Sequence, residues 1–281
     1  MFDRIIDEMV EKSETTIPRN EEDYIGEGGL LYCGKCHTKK QTEIEVFGTK
    51  RRPYCLCKCE TEKRDAEEEA RKHREFQERV KRMRQAGFPE SDMGDWTFEN
   101  DDMSNKPITE AMRKYVDNYK DFLKAGKGLL LWGNPGTGKT YAACEVANAL
   151  VDKGYPVLVT NFARLTNTLQ GMFEGKQDYI DSLNRFSLLV IDDLSAERKT
   201  DFMQEMVWNI VDSRYRAGLP MIVTTNLSIE EIKNPGDIGC ARIYDRILER
   251  CHPINVKGGS RRRKKAGAEY HEMQRILGLE D

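Results

Sequence analysis

The chain has 281 residues, of which 38% are hydrophobic and 33% are charged, and its formal net charge is −3. This length accommodates one domain of ordinary size together with a smaller module. The balanced charge excludes a polycationic nucleic-acid coat, so any nucleic-acid contact must come from a local basic patch. No apolar run approaches the ~18–20 residues of a membrane span, and the acidic start MFDRIIDEMVEKSE lacks the features of a secretory signal. We therefore expect a cytoplasmic protein.

Residues 1–30 are predicted to form a short amphipathic helix followed by a polar stretch. Residues 31–60 hold five of the eight cysteines. In a cytoplasmic protein these are expected to be reduced thiols or metal ligands, because disulfides do not persist there.

The spacing of these cysteines favours a metal site over a set of free thiols. A Cys-x-x-Cys pair is followed, after eighteen residues that include a hairpin-like segment, by Cys-x-Cys-x-Cys. This pattern is typical of a zinc ribbon, whose metal supplies the folding energy that so small a core lacks. An iron–sulfur cluster fits less well, because the spacing matches no ferredoxin run. The predicted zinc ligands are Cys33, Cys36, Cys57 and Cys59, with Cys55 and His37 as alternatives.

Residues 61–87 are almost all charged, with both signs mixed and with acid–base pairs spaced by four residues. Such pairs stabilise a solvated helix, and Gly87 is a suitable helix end. We therefore predict a helical linker between two domains. The predicted division is 1–60 for an N-terminal helix with the zinc module, 61–87 for the linker and 88–281 for the main domain.

After residue 107, apolar runs of strand length alternate with helical patterns. The strands are nearly all apolar, which is expected when both faces of a parallel sheet are covered by helices. The sequence therefore predicts an α/β fold built from strand–helix–strand units. The predicted strands are 128–132, 156–160, 187–193 and 220–226, and the predicted helices are about 139–153, 162–173 and 200–217.

The run GNPGTGKT fits the pattern G-x-x-x-x-G-K-[ST] directly after the first predicted strand and at the start of a helix. Glycines let several backbone N–H groups converge on one anion, and the helix adds its positive amino-terminal end. Lys139 is predicted to bind the β- and γ-phosphates, and Thr140 to bind Mg²⁺. The flanking strand and helix disfavour a chance glycine-rich turn. The predicted phosphate-binding residues are Gly133, Asn134, Pro135, Gly136, Thr137, Gly138, Lys139 and Thr140.

Two later strands end in polar residues that suit the same site. Asp192 and Asp193 follow four apolar residues, and two adjacent acids at a strand end suit a divalent cation. Asp192 is predicted to hold the Mg²⁺, and Asp193 to orient or deprotonate an attacking water. A third strand ends in Thr-Thr-Asn, and Asn226 is the candidate contact for the γ-phosphate or that water. A plain turn is the alternative for Asn226.

Five segments together resemble the DnaC/DnaI helicase-loader family. They are GNPGTGKT, LLVIDDLSAERKT, TTNLS, ARIYDRILERC and GGSRRR, in this order within residues 128–262. The resemblance implies an AAA+ P-loop ATPase with a helix-covered parallel sheet, which binds and hydrolyses Mg-ATP and forms a ring or spiral of copies. It also implies a replicative helicase as partner and single-stranded DNA as the place where that helicase is loaded. Most AAA+ proteins have Glu where this chain has Asp193, so hydrolysis is expected to be slow or to need a partner.

The same resemblance implies roles for two arginines. Arg246 corresponds to the arginine finger that acts on a neighbouring copy, and Arg242 is the alternative. Arg262 corresponds to an arginine that contacts nucleotide within its own subunit, although Arg261 and Arg263 flank it. Without the resemblance, the arginines spaced by four near residue 246 would be interpreted as one solvated helix face.

The resemblance also implies that the N-terminal zinc module holds the helicase, although its lysines leave a DNA contact open. The helix after the second strand is the candidate for gripping single-stranded DNA. Its predicted contact residues are Asn161, Phe162, Arg164, Thr166 and Asn167, and the basic run 261–265 is a further candidate for phosphate contacts.

Two other functions fit the same motifs. One is an IstB-type transposase helper ATPase, which would bind duplex DNA and a transposase. The zinc module argues against it, since a shorter helical front end is expected there. The other is a nucleotide-dependent adaptor that hardly hydrolyses ATP, which the aspartate at position 193 leaves open.

Overall fold

The computed structural model describes residues 18–88, 90–194 and 201–279. The chain divides into two compact units, Met1–Gln77 and Glu78–Asp281. The amphipathic helix predicted near the N-terminus and the end of the LLVIDDLSAERKT segment lie outside the described residues.

The first unit contains two small antiparallel pairs of strands. Strand β1 (Tyr24–Ile25) pairs with β2 (Leu31–Tyr32), and β3 (Ile44–Val46) pairs with β4 (Thr49–Arg51). The two-residue turn Phe47–Gly48 joins β3 to β4, and both of its residues have positive φ, as tight hairpin turns require. The hairpin predicted between the cysteine groups is therefore present.

A buried lysine organises the interior of the first unit. The Lys40 ammonium donates to the Pro18 carbonyl at 2.8 Å and lies 2.9 Å from Asp23 and 3.2 Å from Glu60. Backbone hydrogen bonding by Asn20 and the bond from Lys40 lower the pKa of Asp23 to about 2. Burial alone would lower the pKa of Lys40, but the bonds to its two carboxylates outweigh it and raise that pKa. The ion cluster is therefore satisfied, as a buried charge must be.

Helix α1 (Lys58–Gly87) is 30 residues long and matches the helix predicted for residues 61–87, starting three residues earlier. Its exposed side chains form pairs spaced by four, such as Glu68 with Lys72 at 2.6 Å. Its end approaches the main sheet closely, because a Cβ on Gly87 would collide with the Val157 carbonyl. Glycine is therefore required at this helix end by packing.

The second unit is built on a five-stranded sheet in which all neighbouring strands are parallel. Consecutive residues in the central strands are buried, so both faces of the sheet are covered. The four predicted strands are present within two residues of the expected bounds. The strands are β5 (Gly128–Trp132), β6 (Val157–Asn161), β7 (Leu188–Asp192), β8 (Met221–Thr225) and β9 (Cys251–Asn255). Their order in the sheet is β6-β7-β8-β5-β9.

Nine helices surround this sheet in the described part of the second unit, after the end of α1. The three predicted helices are present, and the α/β fold is confirmed. The nine helices are α2 (Lys106–Asp117), α3 (Tyr119–Ala125), α4 (Lys139–Asp152), α5 (Phe162–Gly171), α6 (Lys176–Ser182), α7 (Asp201–Arg216), α8 (Ile229–Lys233), α9 (Ile238–Arg250) and α10 (Arg261–Leu277). The three predicted helices correspond to α4, α5 and α7. Among the described residues, none of the helices is both long and apolar enough to cross a bilayer.

Candidate nucleotide-binding site and cysteine cluster

The predicted phosphate loop joins the end of β5 to the start of α4. Gly133, Gly136 and Gly138 have φ values of 144°, 82° and 98°, a region that other residues rarely adopt. A Cβ on Gly136 would also collide with the Ser260 hydroxyl. The loop can therefore curl so that its backbone N–H groups face the pocket, as anion binding requires.

Lys139 lies at the centre of the site and is only 7% exposed. Its ammonium donates to the carbonyls of Gly133 at 2.8 Å and Asn134 at 2.9 Å, and to the Asn226 side-chain oxygen at 2.8 Å. Burial lowers the pKa of Lys139, while the neighbouring charges of Asp192 and Asp193 oppose that effect. The structure therefore brings the Lys139 ammonium together with the polar residues at the ends of β7 and β8, which are distant from it in sequence.

Asp192 lies at the carboxyl end of β7 and accepts two hydroxyl hydrogen bonds. The Thr140 hydroxyl donates to it at 2.8 Å, and the Thr224 hydroxyl donates to it at 2.6 Å. A hydroxyl beside a carboxylate is the oxygen donor set that Mg²⁺ takes in phosphate-binding sites. Thr140 and Asp192 therefore have the oxygen donors and the short separation that a magnesium site requires.

Asp193 occupies the left-handed region with φ of 56°, which turns its exposed side chain out of the strand direction. Its backbone N–H donates to the Thr224 hydroxyl at 3.0 Å, which fixes this conformation. Its carboxylate accepts from the Asn226 amide at 3.3 Å. Asp193 and Asn226 thus form one polar wall of the site, where a water could be oriented.

These residues line a cavity of about 370 Å³. Arg261 and Arg262 form part of its wall, whereas Arg263 is not among the lining residues. The Arg261 guanidinium lies 3.4 Å from Asp101 and 5.5 Å from the ring centre of Tyr141. Of the three adjacent arginines, Arg261 is therefore held by its own subunit, and Arg262 is exposed at the cavity.

Arg246 lies elsewhere, on the face of α9 that packs on α7. Its guanidinium is 4.0 Å from the ring centre of Tyr215 and 3.6 Å from Asp212. Arg242 lies 4.4 Å from the ring centre of Trp208. The structure does not bring Arg246 or Arg242 to the cavity of their own chain, and a role on a neighbouring copy would not require that.

Three residues of the site were not predicted from the sequence. Thr224 binds Asp192, and its position in the Thr-Thr-Asn strand end was the available signal. Trp96 and Tyr141 line the cavity and stack with ring centres 5.7 Å apart. They lie in different segments, so no local pattern could have paired them.

The four predicted zinc ligands lie together in the first unit, with all four sulfur atoms within 4.8 Å of one another. The Cys59 sulfur is 3.6 Å from those of Cys33 and Cys36 and 3.3 Å from that of Cys57. A Zn–S bond of about 2.3 Å in a tetrahedron places sulfur atoms about 3.8 Å apart. The four thiols therefore fit a zinc ion in spacing and in donor chemistry.

Hydrogen bonding and burial act in opposite directions on two of these thiols. The hydrogen bond from the Thr38 hydroxyl lowers the pKa of Cys36 to about 5, whereas burial raises the pKa of Cys57. The two alternative ligands lie outside the group of four. The Cys55 thiol donates to the Lys39 carbonyl at 3.6 Å, and a His37 ring nitrogen is 3.3 Å from the Tyr24 hydroxyl.

The helix predicted to grip single-stranded DNA is α5, and the structure corrects part of that prediction. Phe162 and Thr166 are 7% and 0% exposed, so they belong to the core and cannot contact DNA. Asn161 caps the helix by accepting from the Arg164 N–H at 2.8 Å. Arg164 and Asn167 are exposed. Phe173, just beyond the helix end, is fully exposed and was not predicted.

A P-loop at the carboxyl edge of a parallel sheet, with a carboxylate and a polar strand end beside it, defines a nucleotide-binding α/β domain. The family model described as IstB-like ATP binding protein matches residues 62–268, and the chain belongs to this family.

The chain is homologous to replicative helicase loaders. It is 30% identical over 206 residues to the replicative helicase loader DnaI of Bacillus subtilis, a match that covers 66% of this chain and 64% of DnaI. It is 26% identical over 124 residues to the loader DnaC of Escherichia coli K12, covering 43% of this chain and 49% of DnaC. The chain therefore matches between about half and two thirds of the length of these relatives. A crystal structure of DnaI shares the fold with a TM-score of 0.52 and 24% identity, over 64% of this chain and 99% of that one.

Proposed function

We propose that this protein is an ATP-dependent loader that places a hexameric replicative helicase on single-stranded DNA. The observation that carries the proposal is its homology to DnaI and DnaC, together with a nucleotide site whose parts come from four separate segments of the chain. In this proposal residues 1–60 bind the helicase, residues 61–87 connect the two parts, and residues 88–281 bind ATP.

The chain's own residues suggest how Mg-ATP would be bound. The phosphate loop surrounds the phosphates with backbone N–H groups, and Lys139 exchanges its carbonyl and Asn226 contacts for the β- and γ-phosphates. Thr140 and Asp192 would hold the Mg²⁺, and the ion would supply positive charge against the charge that develops on the transferred phosphoryl group. Arg262 reaches the nucleotide from its own subunit.

Hydrolysis in this proposal depends on Asp193, Asn226 and a neighbouring copy. Asp193 orients the attacking water or takes its proton, and Asn226 holds the carboxylate through its amide. Arg246 of an adjacent copy supplies the guanidinium that stabilises the transition state. Hydrolysis would therefore require assembly, and it would time the release of the helicase.

The zinc module is proposed as the part that holds the helicase. Its metal would be bound by Cys33, Cys36, Cys57 and Cys59, and it would supply the folding energy that the small first unit lacks. Removing one ligand should therefore unfold the module without touching the ATP site.

The test is co-elution with the replicative helicase of the same genome, in ATP and in ADP. We expect the wild-type protein to form a complex in ATP and Cys33→Ser to lose it while still binding ATP. Cys55→Ser is the matched control, because Cys55 lies outside the group of four thiols, and it should keep the complex. If no complex forms with ATP and none forms with ADP, the loader proposal is rejected.

A second candidate, the transposase helper, is favoured by the name of the matching family. It predicts stimulation of ATP turnover by duplex DNA, whereas the loader predicts stimulation by single-stranded DNA. A third candidate, an adaptor with little hydrolysis, predicts tight ATP binding without turnover under either condition. Measuring phosphate release with each form of DNA separates the three.

A further inference from the structure

Asn148 is a buried amide in the middle of α4, the helix that begins with Lys139 and Thr140, and it is only 1% exposed. Asparagine is disfavoured inside helices, because its side chain competes for backbone hydrogen bonds. A buried amide also costs free energy unless it is paired. The proposed binding and hydrolysis of ATP do not use Asn148, so its hydrogen-bond partners indicate its role.

The Asn148 amide nitrogen binds the segment that leads to the nucleotide cavity. It donates to the Met93 carbonyl at 2.8 Å, to the Trp96 carbonyl at 3.1 Å and to the Cys144 carbonyl of its own helix at 3.1 Å. Met93 lies in a short 3-10 helix (Ser91–Asp95), and Trp96 follows it directly. An amide nitrogen has two N–H groups, so its whole donor capacity is used here.

The Asn148 side-chain oxygen accepts a hydrogen bond from Arg84, which lies in the last turn of α1 and within the second unit. Arg84 also donates to the Gly94 carbonyl at 3.2 Å and pairs with Asp152 at 2.5 Å. Because a guanidinium can only donate, it fixes the orientation of the amide that it meets. Arg84 and Asn148 together hold three of the four carbonyls of residues 93–96.

The Trp96 side chain is the part of this segment that reaches the nucleotide site. It lines the same cavity as Lys139 and Thr140, and its ring stacks on that of Tyr141 with an interplanar angle of 25°. The Trp96 backbone belongs to no strand or α-helix. The position of its ring in the cavity wall therefore depends on the side chains that bind the carbonyls around it.

We propose that Asn148 is a positioning residue of the nucleotide site, which raises nucleotide affinity by holding Trp96 against the bound nucleotide. Arg84 keeps the Asn148 amide in the required orientation. The inference rests on the proposed function, since it takes the cavity to bind ATP. Asn148 and Arg84 are not among the lining residues of the cavity, so both act through Trp96. The end of α1 thereby contributes to ATP affinity from outside the cavity.

The test is a double-substitution cycle, in which calorimetry measures binding of a non-hydrolysable ATP analogue with Mg²⁺ to the full-length protein. We expect Asn148→Ala and Trp96→Ala each to weaken binding about tenfold. In the Trp96→Ala background, Asn148→Ala should weaken binding no further, because the residue through which it acts is absent. A role in stability alone would give the same loss in both backgrounds.

Three further variants separate hydrogen bonding from packing. Asn148→Asp keeps the shape and an oxygen for Arg84 but no donor for the carbonyls, so it should weaken binding as much as Asn148→Ala. Arg84→Ala should weaken binding about threefold, because the amide loses the bond that orients it. Lys153→Ala is the matched control and should leave the affinity unchanged. Lys153 also ties the end of α4 to a carbonyl, that of Val116 at 3.2 Å, but this carbonyl lies on α2.

Fluorescence tests the contact of Trp96 with the nucleotide. The chain has three tryptophans, so Trp132→Phe with Trp208→Phe leaves Trp96 as the only one. Its emission should change when the analogue binds, and Asn148→Ala should shift the emission of the free protein to longer wavelength, because the ring is released toward water. Emission that does not respond to the analogue would overturn the inference.

The binding cycle has two further contrary outcomes. An affinity that is unchanged in Asn148→Ala, or reduced equally in both backgrounds, would overturn the inference and leave the proposed function intact. A wild-type protein that does not bind the analogue would overturn both.

Discussion

Glu145 keeps its proton because a charge at its position would be buried beside Asp101. Burial and that carboxylate raise its pKa to about 8 from 4.5, while Arg261 and Arg113 oppose the shift and Glu99 adds slightly to it. In the unfolded chain the same group ionises above a pH of about 4.5. Between these two values the folded state binds more protons, so stability falls as the pH rises.

We predict that Glu145→Gln becomes more stable than the wild type as the pH increases from 5 to 8. The gain should reach up to about 4 kcal/mol at pH 8, because glutamine has no proton that the folded state must retain while the unfolded state releases it. Thermal or urea unfolding at both pH values measures it. Glu110→Gln, an exposed change on α2, should show no such trend. An equal difference between Glu145→Gln and the wild type at both pH values would contradict the assignment of a neutral side chain.

Single residues of the site were predictable where a motif fixes their spacing. Lys139, Thr140 and Asp192 lie where a P-loop and a following acidic strand end must place them. Arg214 illustrates what could not be predicted, since an arginine near a helix end is normally solvated. It is 1% exposed and donates to backbone carbonyls, including that of Phe186 at 2.8 Å. Such partners depend on tertiary packing and leave no local pattern.

At the scale of elements, α5 separates an apolar face from a polar one. Leu165 and Leu169 are buried in the core, whereas Arg164 and Asn167 face outward. The turn after the helix presents Phe173, which is fully exposed. An arginine and an aromatic ring on one exposed segment are the two groups that sequence-tolerant binding of single strands uses.

We predict that Phe173→Ala weakens binding of single-stranded DNA about 5- to 150-fold, because base stacking on an aromatic side chain is worth about 1–3 kcal/mol. Arg164→Ala should also reduce the dependence of binding on salt concentration. Anisotropy of a labelled oligothymidine with a non-hydrolysable ATP analogue measures both effects. Leu279→Ala, an exposed apolar change elsewhere, is the control. Unchanged affinity for Phe173→Ala would exclude this segment as a DNA contact.

The elements themselves were predictable to different degrees. The four predicted strands of the sheet are apolar runs next to turn signals, and each was expected within two residues. The edge strand β9 was missed, because its sequence CHPIN has no apolar run and includes a proline. That proline is tolerated because an edge strand need not donate on its free side.

At the scale of the whole molecule, the site in one copy is incomplete in the proposed mechanism. Arg246 is held by Tyr215 and Asp212, away from the cavity of its own chain. The guanidinium that the transition state requires would therefore come from the next copy. Assembly and hydrolysis would then be coupled. This coupling could not be inferred from one copy alone.

We predict that Lys139→Ala and Arg246→Ala are each inactive in ATP turnover and that a mixture of the two regains activity. In an equal mixture, about a quarter of the interfaces combine an intact Lys139 with an intact Arg246, so about a quarter of the wild-type rate is expected. Arg250→Ala, on the same helix, should remain active. A mixture that stays inactive would contradict the role in trans, and recovery with Arg242→Ala in place of Arg246→Ala would assign it to Arg242.

The most direct test of the central claim is loading of the replicative helicase onto closed circular single-stranded DNA, which has no end over which a ring can slide. Helicase bound to the circles is measured after removal of free protein, with ATP and with Lys139→Ala as control. The account predicts that helicase is loaded only with the wild-type protein and ATP. Equal loading without this protein, or with Lys139→Ala, would contradict it.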